Sequence, residues 1–363
     1  MKVPYVGVLL NRAMYKGIPA GKTQTEVLAF YEEGGKLHGI KPCYFRLEDI
    51  QPGKSTLWAY VKKGEKYRRM IVPMPRVIHN RALYFSDGEK GKLNGLVKGN
   101  IAVFNRWNRY SKPYIQDLLW SDALLRPHLA HTVRGTVENL QTMMKKYRQL
   151  FIKPNSGSIG FGIMRLARQK NGWRLTYAAY ENKKRIWRNV DFKNSIPALL
   201  RMKLHGGRYH IQRQLPLATY KERPFDLRVS VQKDATGHWQ VTGMVGKAAP
   251  HGRFLSNVGQ GGRVYPLSVL LTDHPKLEIK AVEKAVEVFA LRVVYKLERS
   301  IEGLADVGLD IGITDGGTPL FIECNGRDQR YSFRNGKMIR EWKATYANPM
   351  GYARYLLNRA CEE

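Results

Sequence analysis

Val307-Gly-Leu-Asp-Ile-Gly-Ile313, Thr314-Asp-Gly-Gly-Thr-Pro319 and Leu320-Phe-Ile-Glu-Cys-Asn325 follow one another near the C-terminus and read as a β-hairpin. The middle segment is turn chemistry, because Asp-Gly-Gly and Pro reverse a chain readily. Period-two alternation puts Val307, Leu309, Ile311 and Ile313 on one face and sends Asp310 to the other. In the second strand Leu320, Ile322 and Cys324 share a side, so Glu323 and Asn325 point together to the opposite one. A six-residue loop sets Asp310 directly across from Glu323, and two facing carboxylates repel. A hard divalent cation removes that repulsion, and Asp, Glu and Asn oxygens are what Mg²⁺ takes alongside substrate phosphates. The competing reading is a solvated sheet face that happens to carry Glu-x-Asn.

The chain around this hairpin has 363 residues, enough for two or three packed units with ample core. Its hydrophobic share is an ordinary 43%, and no run of about 18 apolar residues occurs. The apolar start, Met1 to Leu10, is followed at once by Asn11 and Arg12 and is too short for a signal peptide, so a cytoplasmic protein without a membrane span is expected. Cys43, Cys324 and Cys361 are scattered with no C-x-x-C spacing, which points to neither a disulfide framework nor a zinc site.

Charge is the unusual property. The 61 Lys and Arg against 30 Asp and Glu leave a formal net charge of +31. Such a balance suits an anionic partner, whether a polymer or a surface. The basic residues are nevertheless spread through Lys62-Lys63, Arg68-Arg69, Lys145-Lys146 and Lys183-Lys184-Arg185, and no helix-turn-helix, zinc-finger or RNP signature accompanies them. A basic, solvated surface explains the same numbers.

Short apolar runs at Tyr5 to Leu10, Pro42 to Leu47, Arg69 to Val72 and Ile101 to Asn105 alternate with a helical pattern at Thr25 to Gly34 and with loops near 86 to 99. They predict a small α/β domain over residues 1–105. Thr136 caps an expected helix with Val137, Leu140, Met144 and Tyr147 on one face. Strands are predicted at Leu150 to Lys153, Ile163 to Leu166, Trp173 to Tyr180 and Tyr209 to Leu215, with a short helix opening at Ser195. Phe225 to Gln232 and Trp239 to Val245 form a second hairpin through Asp234-Ala-Thr-Gly-His238. Lys276 to Arg299 reads as a long helix burying Val282, Val286, Phe289, Val293 and Leu297. The tail to Glu363 reads as helical cover.

A second chemical signal lies in Phe151-Ile-Lys-Pro-Asn-Ser-Gly-Ser-Ile-Gly-Phe-Gly-Ile163. Lys153 ends a strand, and Gly157, Gly160 and Gly162 let backbone amides approach a phosphate. Ser156 and Ser158 add hydroxyl donors, and Lys153 adds charge. This is neither a P-loop nor a dinucleotide fingerprint, since the first needs G-x-x-x-x-G-K-[ST] and the second a following helix. A glycine-rich hairpin turn is the plain alternative.

Loop and hairpin in this order, about 150 residues apart, resemble the ATP-grasp superfamily. More closely, the chain resembles the YheC/YheD group of bacterial endospore coat-associated ATP-grasp proteins. The segments that carry the resemblance span about 100 to 330: Phe104-Asn-Arg106 with Lys112, the glycine loop, Arg223-Pro-Phe-Asp-Leu-Arg-Val229, Val241-Thr-Gly-Met-Val245, Ser256-Asn-Val-Gly-Gln-Gly-Gly262, and Asp310 with Glu323-Cys-Asn325. What the resemblance implies is an α/β (α+β) ATP-grasp fold. Its parts would be an N-terminal α/β pre-ATP-grasp domain (1–105), a central linker and lid subdomain (106–205) and a C-terminal catalytic subdomain (206–363). It implies ATP and two Mg²⁺ as cofactors. Lys112 and Lys153 would touch the phosphates, Gln212 and Gln214 would lie beside the adenine, and Arg228 would face the reacting centre. Lys247 and Asn257 would sit near the γ-phosphate and the intermediate, and Asp310, Glu323 and Asn325 would hold the metal.

The expected reaction is an ATP-dependent joining of a carboxylate to an amine through an acyl phosphate, with a peptide or polymer among the acceptors. It needs positioning and charge neutralisation, not a side-chain nucleophile. Two other readings keep part of the same observations: a phosphotransferase, and a basic assembly protein of the spore coat.

Overall fold

The computed structural model describes residues 3–157, 160–182 and 184–360 of the chain. Ser158, Lys183 and Cys361 therefore lie outside the described residues.

Three sheets organise the chain. In the first, β1 (Tyr5–Leu9), β2 (Lys41–Phe45), β3 (Thr56–Lys63), β4 (Lys66–Pro73), β5 (Val77–Asn80) and β6 (Ala102–Phe104) lie in the order β4-β3-β2-β1-β5-β6. The strands β2, β1, β5 and β6 run parallel, while β3 and β4 add an antiparallel hairpin at the edge. Helices α1 (Arg12–Gly17), α2 (Leu28–Leu37) and α3 (Asp87–Lys98) connect them. The strands β3 and β5 were not anticipated from the sequence, and residues 86 to 99, expected to be loop, are mostly α3. Ser86 caps that helix by accepting from the Glu89 backbone amide, and Glu89 reaches back to the Ser86 amide at 2.9 Å, a capping box that outweighs three helix-weakening glycines.

Helix α4 (Lys112–Trp120) precedes the second sheet but buries Ile115 and Leu119 in the core of the third, whereas α5 (Val137–Lys146) flanks the second sheet. Thr136 caps α5 as expected, accepting from the Asn139 amide at 3.1 Å. The sheet holds β7 (Thr132–Arg134), β8 (Gln149–Pro154), β9 (Met164–Gln169), β10 (Gly172–Glu181), β11 (Lys184–Phe192) and β12 (Tyr209–Arg213), all paired antiparallel. Leu140, Leu150, Ile152, Leu166, Leu175 and Leu200, the last on α6 (Ala198–His205), make its core.

The third sheet is the C-terminal one: β13 (Thr219–Tyr220), β14 (Arg223–Lys233), β15 (Trp239–Ala248), β16 (Arg263–Tyr265), β17 (Asp306–Ile313) and β18 (Pro319–Asn325), with β16-β15-β14-β17-β18 side by side and β13 on β14. Short α7 (Leu267–Leu270) precedes the long α8 (Ile279–Glu298). The apolar face of β14 and β17 packs on α8, whose Val282, Val286, Phe289, Val293 and Leu297 are buried as the helical period predicts. That burial leaves the other face of the sheet for polar side chains.

Past β18, α9 (Tyr331–Asn335) and α10 (Ile339–Arg359) return along the chain, and Tyr346 and Met350 of α10 join Tyr31 of α2 in one core. Polar contacts reinforce this junction of the first and third sheets. Asp306 at the start of β17 accepts from Arg81 at 3.1 Å, from Arg330 at 2.6 Å and from Gln232 at 2.8 Å, while Arg81 also holds Glu26 at 2.7 Å. Asn105 receives the Ala305 and Asp306 amides and donates to the Gly326 carbonyl at 2.9 Å. Every one of these charges is buried, so the pairs set the orientation of the two sheets and replace lost hydration. Among the described residues, no helix is long and apolar enough to cross a membrane.

Candidate active site

Strand register alone collects the charged residues on the face that α8 leaves open. In β14 and β17 Arg228 stands opposite Asp310, in β14 and β15 Asp226 stands opposite Lys247, and in β17 and β18 Asp310 stands opposite Glu323 and Gly308 opposite Asn325. The facing of Asp310 and Glu323 is thus present, but it arises differently from the expectation. Ile313 pairs with Pro319, so the loop is one residue shorter, which by itself would oppose Asp310 to Ile322. A β-bulge between Asp310 and Ile311 restores the register. The bulge also reverses one assignment: Ile322 packs with Leu215, Leu217 and Leu320 instead of sharing a side with Cys324, which packs on the α8 core.

The expected repulsion of the two carboxylates is met by side-chain cations. Asp310 accepts from Arg228 Nε at 3.0 Å and Nη2 at 3.2 Å and lies 2.7 Å from Lys247 Nζ. Lys247 Nζ is also 2.8 Å from Asp226, whose other oxygen accepts from Ser256. Arg228 Nη1 donates to Asp328 at 3.1 Å, and Ser230 donates to the second oxygen of Asp328. Gly308 makes this crowding feasible, since a Cβ there would lie 2.4 Å from Asp328 Oδ1 and 2.6 Å from Arg228 Nη1. Burial pushes the Asp310 carboxyl up, but Arg228 and Lys247 outweigh it and hold that group below its usual range. For Asp226 burial wins, with Asp310 adding to it against Lys247, and its carboxyl is raised. Glu323 takes Lys112 Nζ at 3.1 Å.

Lys112 is the first residue of α4, held there by Ser111, which accepts from the Tyr114 amide at 3.3 Å, and by its own amide donating to the Asn155 carbonyl at 3.1 Å. Lys153, at the end of β8, donates to Gln212 of β12, and Gln212 in turn donates to Thr132 at 3.0 Å. Burial, and next the Lys112 charge, pull Lys153 down to about 8. Burial and the same two lysines push His210 down to about 3, so its ring, 3.1 Å from Asn155 Oδ1, is neutral. Gln214, just past β12, accepts from Arg165 at 3.1 Å.

These groups line a cleft between the second and third sheets with a volume of about 380 Å³, whose walls include Lys112, Lys153, Gln212, Gln214, Lys247, Asn257, Asp310 and Glu323. Ser156 and Gly157 edge an adjoining pocket with Lys112 and Lys153. Gly160 closes the other side of the glycine loop at φ +70°, and a Cβ on it would stand 3.0 Å from Asn257 Oδ1, so the loop and Asn257 meet there. Gly162 leads into β9. Asn325 lies beside Asp310, its amide 3.5 Å from Oδ2.

The donors Asp310, Glu323 and Asn325 are hard oxygens on two paired strands, which suits Mg²⁺. Among the described residues no group of three His, Cys, Asp or Glu side chains could hold a metal by itself.

Several participants were not singled out from the sequence. Asp226 had a local signal, being two residues before Arg228 on the same face. Ser230, two residues after Arg228, had the same one, whereas Asp328 had none, and neither had the apolar wall of Phe151, Ile163, Leu215, Leu217 and Phe254.

Known proteins bear on this geometry. The model of a family described as YheC/D like ATP-grasp matches residues 100–356. The endospore coat-associated protein YheD of Bacillus subtilis (strain 168) is 24% identical over 333 residues, covering 88% of this chain and 71% of that protein. Among solved structures, D-cycloserine synthetase DcsG superimposes with a TM-score of 0.53 at 11% identity, covering 98% of this chain and 99% of that one. The ATP-grasp ligase PsnB, complexed with a phosphomimetic variant of its minimal precursor, Mg and ADP, gives 0.52 at 15% identity and 99% coverage of both. The mixed α/β architecture is thus that of ATP-grasp proteins, as the sequence resemblance led one to expect.

Proposed function

Because the chain belongs to the YheC/D-like ATP-grasp family, we propose that it is an ATP-dependent ligase that joins a carboxylate to an amine, with a peptide or other polymer as acceptor. The observation that supports this most is one sheet face turning Asp226, Lys247, Asp310 and Glu323 into the cleft that Lys112 and Lys153 share, beside an apolar wall that includes Leu215, Leu217 and Phe254. In this reading the base packs against Leu215 and Leu217 with Gln212 and Gln214 at its edge, while Lys112, Lys153, Ser156 and the glycine loop hold the phosphates. Asp310, Glu323 and Asn325 would hold Mg²⁺, two ions in this reading, which when bound neutralises charge on the phosphates.

The substrate carboxylate attacks the γ-phosphorus, the bond to the bridging oxygen breaks, and ADP leaves with an acyl phosphate formed. The amine nitrogen then attacks the acyl carbon, inorganic phosphate departs and the amine loses a proton. In this reading Arg228, Lys247 and Asn257 would face the growing negative charge, with Arg228 and Lys247 already fixed by Asp310, Asp328 and Asp226 and so needing little reorganisation. The division into N-terminal (1–105), lid (106–205) and catalytic (206–363) parts is proposed with one change, that β12 (Tyr209–Arg213) goes with the second sheet and so with the lid. Association with the spore coat is the matching proposal for location, resting on the name of YheD.

Purified protein with ATP, Mg²⁺ and a panel of amino acids, short peptides and acidic polymers tests the reading. The expected result is substrate-stimulated ADP release, lost in a D310A/E323A double variant, and a product lighter than acid plus amine by one water. A product carrying phosphate would identify a phosphotransferase. No turnover together with no ATP binding by calorimetry would favour an assembly protein.

A further inference from the structure

Arg327 is a guanidinium that this site leaves without an acid. Arg228, Arg81 and Arg330 each pair with buried carboxylates. Arg327, half-buried just after β18, instead donates to the Arg81 carbonyl at 3.4 Å, and among the described residues it has no carboxylate within ion-pair distance. The acid nearest in influence, Glu26, is already held by Arg81 at 2.7 Å and Arg330 at 3.7 Å. A partly dry, unpaired cation is costly, and an anion beside it removes that cost.

Arg109 shares the cavity. It lies exposed with its guanidinium 4.5 Å from the centre of the Phe85 ring, again with no carboxylate partner among the described residues. The cavity, about 260 Å³, is lined by both arginines and the apolar Leu83 and Phe85, and it reaches Arg228 and Asp310 of the catalytic face. It is therefore continuous with the reacting centre and yet carries cations that the phosphates and metal do not use.

Building on the ligase reading, we propose that this cavity takes the acid substrate, and that the substrate carries a second, non-reacting anionic group held by Arg327 and Arg109 while its reacting carboxylate lies toward Arg228. A planar guanidinium fork matches a carboxylate or a phosphate through two parallel hydrogen bonds. Leu83 and Phe85 cover the carbon chain between the two charges. The net charge of +31 draws such a substrate in from solution.

Calorimetry on the full chain, loaded with Mg²⁺ and a non-hydrolysable ATP analogue, compares tri-L-glutamate, a phosphoserine tripeptide and tri-L-alanine. At least tenfold tighter binding of one anionic peptide than of trialanine is expected, and the tighter of the two identifies carboxylate or phosphate as the second group. R109Q, at an exposed position, should cut that preference about threefold. R327Q should abolish it and R327K restore part of it, with the affinity for the ATP analogue within threefold of the parent. Equal binding of all three peptides, binding of none, or a preference that survives in the R109Q/R327Q double variant would overturn the proposal. The ligase reading fails separately, through absent ATP binding and absent ADP release.

Discussion

Arg228 and Asp310 face each other across β14 and β17 as a two-pronged pair, at 3.0 and 3.2 Å, and the third prong of the guanidinium reaches Asp328 at 3.1 Å. One side chain thus ties the strand face to the loop beyond β18. Truncation in R228A leaves two buried carboxylates short of a cation, and a loss of about 3–5 kcal/mol is expected on breaking such a pair from one side. Urea unfolding measures it, and R228K should recover only part, because a single ammonium cannot span both acids. A change under about 1 kcal/mol would mean that the pair is solvated.

G308A tests the packing of that same contact without touching charge. Its methyl would enter at 2.4 Å from Asp328 and 2.6 Å from Arg228, so one of them must move. Overpacking of this kind costs about 1–3 kcal/mol. ADP release should fall far more than stability, and a G308A variant as active as the parent would show that the Arg228–Asp328 contact is dispensable.

Lys153 supplies a pH dependence with two opposite signs. Its folded pKa of about 8 lies below its ordinary 10.5, so between these values the folded chain binds fewer protons than the unfolded one. The burial penalty is full below pH 8, and stability from this group rises from there to pH 10.5. Nucleotide affinity runs the other way, falling above pH 8 as the cation disappears. Bound phosphates favour the ammonium, so calorimetry above pH 8 in buffers of different ionisation enthalpy should register proton uptake, and K153M should show none.

Lys112 competes with metal for Glu323, which it holds at 3.1 Å. K112A should therefore bind Mg²⁺ in the absence of nucleotide about fivefold more tightly, the equivalent of a partly exposed pair worth about 1 kcal/mol. Its ATP affinity should drop, since a phosphate contact is lost. Calorimetric titration of both ligands checks this; unchanged Mg²⁺ affinity would remove Glu323 from the metal site.

Asp306 governs acid stability at the junction of the first and third sheets. Burial alone would raise its carboxyl, but Arg330, the His79 ring 3.2 Å away and Arg81 outweigh it and hold the group well below the carboxylate range. Stability from this group is present above the ordinary value of 3.8 and is lost as pH falls below it. D306N should flatten that acid limb and cost about 3–5 kcal/mol at neutral pH by stranding two arginines. Thermal melts carried from pH 6 down to about pH 2 check this: a flattened limb in D306N is expected, and an unchanged one would take Asp306 out of the acid response.

Much of the architecture was legible because its signals are local. The alternation in Val307 to Ile313, the helical stripe of α8, the Thr136 cap and the Asp234 to His238 turn each act within a few residues, and each appears as expected. Where the reading missed, a local cue competed with another. Glycines at 88, 91 and 95 suggested loop, while the Ser86 and Glu89 capping box made α3. The basic run at 184–185 hid β11, whose pairing with β10 extends from Lys184 to Phe192.

Alternation by itself determined that Asp310 leaves the apolar face and that Glu323 and Asn325 travel together. Only tertiary structure decided which cations meet them. Lys112 reaches Glu323 from 211 residues away, Arg228 reaches Asp328 from 100, and Lys247 reaches Asp310 from 63. The physical reason is range. Side-chain direction follows from backbone dihedrals one residue at a time, whereas strand order, the bulge beside Asp310 and the pairing of buried charges minimise the free energy of the packed whole.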